Sequence, residues 1–439
     1  MNDQINFDAE WEALDRGSPE ERACFAAISV RCNDSYLTEC NDGIVNRVRV
    51  APYLSAYHLA EWFVWNWWRL RWEPRSLLPS SSWAFAHRMA TVGHGYVWPN
   101  ITIFSDGERT ALVAKPSQDK RANSFRYLSN HAAVVASSTF ENAIDEFVAQ
   151  VRGQLHAEGL SSSNLETIWN ALCEERASPE LAKRRKLEAL LGFDPDEANE
   201  ATVEKLVGDA VRFGADAVNE IAADHLQNGD VTTSEEIRSI AATQGFDTRP
   251  QDAVKLSNLA SLSRRQDSAA WYLGAEAARA LRDQLRLSET QISNDNLSNM
   301  AGVEAGTLTS KTHSTGVSFA LDDSPSRGRM VLRSKWETGR RFELARIIGD
   351  RVMSQAVGGL YPATRSYTYR QKAQRSFAAE LLCPFSLIEG MLQEDYSLEA
   401  RQDVADYFNV SEFTIRTSLM NHRRIEREDF DDAGLGERF

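Results

Sequence analysis

Apolar and polar positions divide the chain into stretches of different period. Up to about residue 158 the pattern mixes strands and helices. Phe25–Cys32 and residues 44–50 alternate with period two, as half-buried strands do. Residues 101–104, then Ser105-Asp106-Gly107-Glu108, then Arg109–Ala114 predict a hairpin closed by an Asp-Gly turn. His131–Ala136 predicts a further short strand. Ser138-Thr139-Phe140-Glu141 reads as a capping box that opens a helix to about His156. Residues 54–72 carry Trp62, Trp65, Trp67, Trp68 and Trp72, interrupted by Glu61, Asn66, Arg69 and Arg71. As one helix this stretch is apolar nearly all round, which predicts a central, covered position. The alternative is an aromatic surface for a peptide or nucleobases. Trp83, His87, His94, Tyr96 and Trp98 would line one edge of it, and no third ligand accompanies His87 and His94 for a metal.

The period then becomes helical. Ser163-Asn164-Leu165-Glu166 is a second capping box, and Ser178-Pro179-Glu180 places an N-cap before a proline at the first helical position. Helices are expected over 180–191, 202–213, 215–226 and Ser234–Gln244. The basic run Lys183-Arg184-Arg185-Lys186 reads as a solvated helix face. Beyond about Asp267 the pattern predicts a helix at 275–286 and a small antiparallel sheet within 307–334, turning at Asp322-Asp323-Ser324-Pro325. A helix over 338–353 and another holding residues 377–382 follow. The expected fold class is therefore α+β and multidomain: a mixed α/β domain over 1–158, a helical region over 159–266 and a C-terminal domain over 267–439.

Composition narrows the function classes. A chain of 439 residues exceeds one compact core. The net charge of −14 argues against a broad nucleic-acid footprint but leaves a local basic face open. The first ten residues have neither a basic n-region nor an apolar h-region, so no signal peptide is expected. The apolar run 59–70 contains Glu61, Asn66 and Arg69 and is too short to span a bilayer. A cytoplasmic protein is the expectation. Five cysteines (Cys24, Cys32, Cys40, Cys173 and Cys383) lack any C-x-x-C pair and read as reduced, mostly buried thiols.

The chemistry concentrates in Arg341-Phe342-Glu343-Leu344-Ala345-Arg346-Ile347-Ile348-Gly349-Asp350 and Phe377-Ala378-Ala379-Glu380-Leu381-Leu382-Cys383-Pro384. With Trp271-Tyr272-Leu273-Gly274 and Gly328-Arg329-Met330-Val331-Leu332 before them, their order and spacing resemble the ImmA/IrrE-type metallopeptidases over roughly residues 271–424. The resemblance implies a zincin-like, minimal metallopeptidase domain with a small antiparallel sheet. In active relatives the helix carries H-E-x-x-H: two imidazoles at i and i+4 hold zinc and the glutamate activates water. The matching positions here are Arg346, Ile347 and Asp350. A guanidinium has no lone pair for a metal and a hydrocarbon accepts no proton. The downstream carboxylate ligand of the relatives falls at Gln371, and no acid or histidine lies between Tyr361 and Ala379. The frame is a peptidase frame without peptidase chemistry, and no cofactor or metal is expected. Arg346 and Asp350, four apart, could form a buried ion pair that fills the vacated space, or two solvated charges.

A second motif lies at residues 401–424. Val404, Tyr407, Phe408, Val410, Ile415 and Leu419 fit two packed helices turning at Asn409, a helix-turn-helix-like end. As a DNA reader its second helix would offer Ser411, Glu412, Thr414, Arg416, Thr417 and Ser418, with Arg423 and Arg424 behind them. In the resembled family such a pair is often only part of the fold, and the acidic tail opposes phosphate binding. The expected function is a non-catalytic regulatory protein that binds a protein partner through a vestigial cleft. The resemblance implies bacterial or phage regulation, in a toxin–antitoxin or phage-defence setting. The alternatives are a DNA-binding regulator, and a hydrolase recruiting metal through His313 or Asp350.

Overall fold

The computed structural model describes residues 4–76, 79–118, 124–228, 232–257, 269–287, 291–310, 315–354 and 358–426. His313 lies outside them. The chain is α+β with small antiparallel sheets. Contacts group it into two units, Met1–Val203 and Glu204–Phe439, where the pattern suggested three regions. The helical middle is shared out because its apolar faces belong to different cores. Leu165, Trp169, Leu172 and Ala189 are buried in the same core as Phe7 and Phe63.

In the first unit, Phe25–Cys32 is the central strand. It pairs antiparallel with Ile5–Trp11, Ser35–Tyr36 and Tyr53–Ser55. The Ile101–Ser105 and Arg109–Ala114 hairpin forms as expected, with His131–Ala136 added to its second strand. Its turn is held by Asp106, whose carboxylate accepts from the backbone N–H of Arg109 at 2.8 Å, the local bonding that suits Asp to turns. The Trp-rich stretch is covered as expected, but as two helices, Ala56–Trp65 and Trp67–Trp72, broken at Asn66. Asn66 donates its side-chain amide to Trp62 O at 2.8 Å, which competes with the helix ladder. The break leaves Trp65 58% exposed while Trp62, Trp67 and Trp68 are buried.

Other local expectations were overridden. Only Arg47–Arg49 of the stretch 44–50 is a strand, and Ile44 and Val45 are exposed. The helix over Ser137–Ala157 starts one residue before the expected capping box, with no side-chain cap. Ser137 bonds Ser105 and Thr110 instead, and Glu141 pairs with Arg71. The basic run is not a free face. Arg185 is buried and bonds Glu175, Glu188 and Asp196, and Lys186 lies over the Trp72 ring. All five cysteines are free, and burial pushes the Cys24, Cys32 and Cys383 thiols up to about 12, which makes them unreactive near neutral pH. No described helix is long and apolar enough to cross a membrane.

In the second unit, the sheet order is Phe246–Thr248, Arg327–Val331, Ser318–Ser324, Leu360–Ala363, all antiparallel. The central pair matches the sequence reading, but its turn is at Pro325 and Ser326: Asp322, Asp323 and Ser324, expected in the turn, end the strand Ser318–Ser324, where Ser324 pairs with Arg327. The two outer strands, three and four residues long, do not stand out in the sequence. Three helices, Ala270–Gln284, Glu337–Met353 and Tyr369–Leu382, contribute to one core with the sheet. Two glycines set their approach. A Cβ on Gly274 would sit 2.2 Å from Ala373 O, and one on Gly349 would sit 2.5 Å from the Phe377 ring. Backbone cannot yield as a ring can. Gly274→Ala is therefore expected to destabilise the chain by about 3 kcal/mol, the upper range for overpacking, and Gly349→Ala by less. Denaturant midpoints at constant slope check this ordering.

Candidate functional site

The helix Glu337–Met353 is buried on most of its circumference, and charged residues share that burial. Arg340, Arg341, Glu343, Arg346 and Asp350 are each at most 6% exposed. A helix this covered needs partners for every charge. Arg341 shows the complete solution. Its Nε donates to Asn409 O at 3.0 Å, its Nη1 to Asn294 Oδ1 at 2.5 Å and its Nη2 to Ile292 O at 2.7 Å. These bonds tie the helix to the turn of the C-terminal helix pair. Glu343 accepts from Ser334 N at 2.9 Å and pairs with Arg333 at 3.3 Å.

Arg346 and Gln371 are in direct contact through a hydrogen bond. Arg346 and Asp350 are both buried, but they do not pair with each other. Asp350 is held by Arg370, whose Nε and Nη2 donate to its two oxygens at 2.7 Å each. Arg370 opens the helix Tyr369–Leu382, and the planar fork of its guanidinium matches the carboxylate. Burial opposes the Arg370 charge, and Asp350 and Glu220 more than offset that, raising it. Arg346 turns to neutral oxygens instead. Its Nη2 donates to Thr364 O at 2.7 Å and to Gln371 Oε1 at 2.5 Å. Ile347 is fully buried in the core.

Gln371 lies against Arg346. Its Oε1 also accepts from Thr364 N at 2.9 Å, and its Nε2 donates to Pro362 O at 3.1 Å, next to a second donation from Gln374 at 3.0 Å. Two acids arrive from the helix Ala215–Asn228. Glu220 accepts from Thr368 Oγ1 at 2.6 Å, and Asp224 accepts from Arg365 N at 2.7 Å. Burial pushes the Glu220 carboxyl up, and Arg370, Thr368 and Gln371 offset only part of this. Sequence reasoning missed Arg370, Gln374 and Glu220. Gln374 had a signal, since it lies three residues after Gln371 and helical spacing puts the two on one face; Arg370, the neighbour of Gln371, had none. Glu220 had none, because it lies far from Asp350 along the chain.

This arrangement saturates the groups a peptidase would need free. Both Asp350 oxygens are taken by one guanidinium, and Gln371 is neutral and fully used. Among the described residues, no group of three or more His, Cys, Asp or Glu is placed to hold a metal ion. The donor set at the frame does not fit zinc. The triple change Arg346→His, Ile347→Glu, Asp350→His is expected to gain at most weak zinc affinity. The third ligand is missing, and the introduced glutamate would take the fully buried place of Ile347. Zinc titration against a competing chelator reads this directly.

The C-terminal pair forms as Leu398–Phe408 and Glu412–Asn421, with Asn409 left-handed between them (φ 51). Val404, Phe408, Val410, Ile415 and Leu419 are buried as expected, while Tyr407 is 48% exposed. Of the residues expected to meet DNA, Thr414 is 8% exposed and its hydroxyl bonds Ser411, the helix N-cap, so it faces inward. Arg416 and Thr417 are half-buried, and Arg423 is exposed. Arg424 pairs with Glu389, and Glu412 with Arg401. Compared with known proteins, the chain matches no family model, no curated protein and no solved structure.

Proposed function

We propose that this chain is a non-catalytic, peptidase-like interaction protein. In this reading the Glu204–Phe439 unit is a zincin-like domain that has lost its metal site. It holds a protein partner between its sheet and the helices Glu337–Met353 and Tyr369–Leu382 without cutting it, in bacterial or phage regulation of the toxin–antitoxin or phage-defence kind. One observation carries the reading: Arg346, Ile347, Asp350 and Gln371 occupy the frame as hydrogen-bonded or packed core residues rather than as open ligands. A frame rebuilt in this way keeps its shape while the chemistry is gone.

The test uses the intact chain, purified without chelator and presented with a displayed peptide library. The reading expects retained peptides that are recovered uncut and protein without stoichiometric transition metal. About one zinc per chain, with peptide cleavage that a chelator abolishes, would replace it with the hydrolase reading. A DNA-binding regulator is the second reading. Its support is the helix pair with its left-handed turn at Asn409. Inward-facing Thr414 and the two ion pairs reduce the surface it could offer. Retention on its own promoter fragment that weakens steeply with salt would favour it.

A further inference from the structure

Arg346 differs from every other buried arginine of its helix. Arg340 and Arg341 donate to surrounding carbonyl or amide oxygens from more than one nitrogen. Arg346 is 4% exposed, yet all of its hydrogen bonds leave from Nη2. Its Nε and Nη1 make none among the described residues, and Nε is sealed from solvent. Among the described residues no carboxylate bonds it. A buried charge normally has an anionic partner, and an unpaired one costs several kcal/mol.

Its surroundings make the vacancy more costly. Arg375 Nη2 donates to Ser366 O at 2.7 Å and comes within 3.5 Å of Thr364 O, so a second guanidinium lies beside the carbonyl that Arg346 uses. Burial, and after it the like charge of Arg375, push the Arg346 guanidinium down to about 9. It is still charged near neutral pH. Glu343 is engaged by Arg333 and Ser334, and Asp224 accepts from a backbone N–H.

We infer that Arg346 is a ligand for a carboxylate supplied by the bound protein segment, received at its unused nitrogens in the place where relatives carry a zinc-binding side chain. This deepens the binding reading and rests on it. The charge count selects a carboxylate over a phosphate. Glu343 and Asp224 act on Arg346 through space, so a monoanion entering beside it meets less repulsion than a dianionic phosphate. Chain end and acidic side chain offer the same group.

Titration of the full-length protein separates the sources. N-acetylglycine stands for a chain end, N-acetylglutamate N′-methylamide for an internal acidic residue, N-acetylglycinamide for an uncharged control, and inorganic phosphate for a dianion. Expected are saturable binding of at least one carboxylate, no binding of the amide, and affinity about tenfold or more weaker in Arg346→Met. The tighter of the two carboxylates names the source. The binding is also followed in the wild type at the Arg346 Nε–H resonance, assigned with Arg346→Lys, so a variant that fails to fold does not decide the matter. No saturable shift with either carboxylate means that buried water alone serves Arg346, and overturns the inference. So does undiminished binding in a folded Arg346→Met, or phosphate binding tighter than both carboxylates. Peptide capture that persists through such a failure leaves the broader binding reading intact.

Discussion

Asp350→Ala is expected to destabilise the chain by about 3 kcal/mol, the lower end of the cost of breaking a buried ion pair from one side. Asp350 is 1% exposed and receives both N–H groups of the Arg370 fork. Its removal leaves Arg370 with its charge and without its main partner. Two features hold the loss at the lower end. The Arg370 side chain is 16% exposed, so it can turn partly to water, and the Glu220 carboxylate already acts on it through space. Replacing both partners with methionine is expected to recover most of the loss, since well-packed apolar groups often equal a buried pair in stability. A double-mutant cycle on denaturant midpoints gives the coupling energy. A cost within error of zero for Asp350→Ala would mean that the frame is solvated rather than rebuilt.

The second large effect belongs to the first unit. Glu73 is 1% exposed and accepts from Arg69 Nε at 2.7 Å, with His87 Nε2 2.9 Å from the same oxygen. The other His87 nitrogen faces Ile103 O at 2.7 Å and so carries a proton. Glu73→Ala strands Arg69, which is 2% exposed, and is expected to cost about 4 kcal/mol. Among the described residues Arg69 then keeps Ser82 Oγ and the more distant, partly exposed Asp194 as partners. The effect depends on pH with a definite sign. Burial alone would raise the Glu73 carboxyl, but His87 and Arg69 overcome it and hold the group below its ordinary value of 4.5. A depressed carboxyl stabilises the fold above that value, and the contribution fades as pH falls through the lower, folded value. The gap between wild type and Glu73→Gln should therefore be widest near neutrality and narrow below about pH 4.5. A gap that widens on acidification would reverse the assignment of charge in this network.

Both effects come from groups that the sequence left unpaired. Arg69 and Glu73 are four apart, a spacing that permits a pair, but nothing local shows that both are sealed together with His87. Arg346 and Asp350 have the same spacing, and there the local expectation misleads. Their shared face is divided between two neighbours: Arg370 takes the acid, and Thr364 and Gln371 take the base. Spacing along a helix states which groups are close; it does not state which competitor for each arrives from another element. The capping box at Ser138 fails for the same reason, since Glu141 is drawn to Arg71.

Sequence alone determined the features that depend on periodicity and on residue chemistry. The Asp-Gly hairpin, the central strand Phe25–Cys32, the long helices and the pair turning at Asn409 all follow from what each side chain is and where it recurs. Tertiary structure decided the remainder: the break at Asn66, the short outer strands of the second sheet, the inward turn of Thr414, and the partner of every buried charge. Those outcomes depend on contacts between distant segments, where burial makes an unmet charge costly enough to select among partners that local pattern cannot rank.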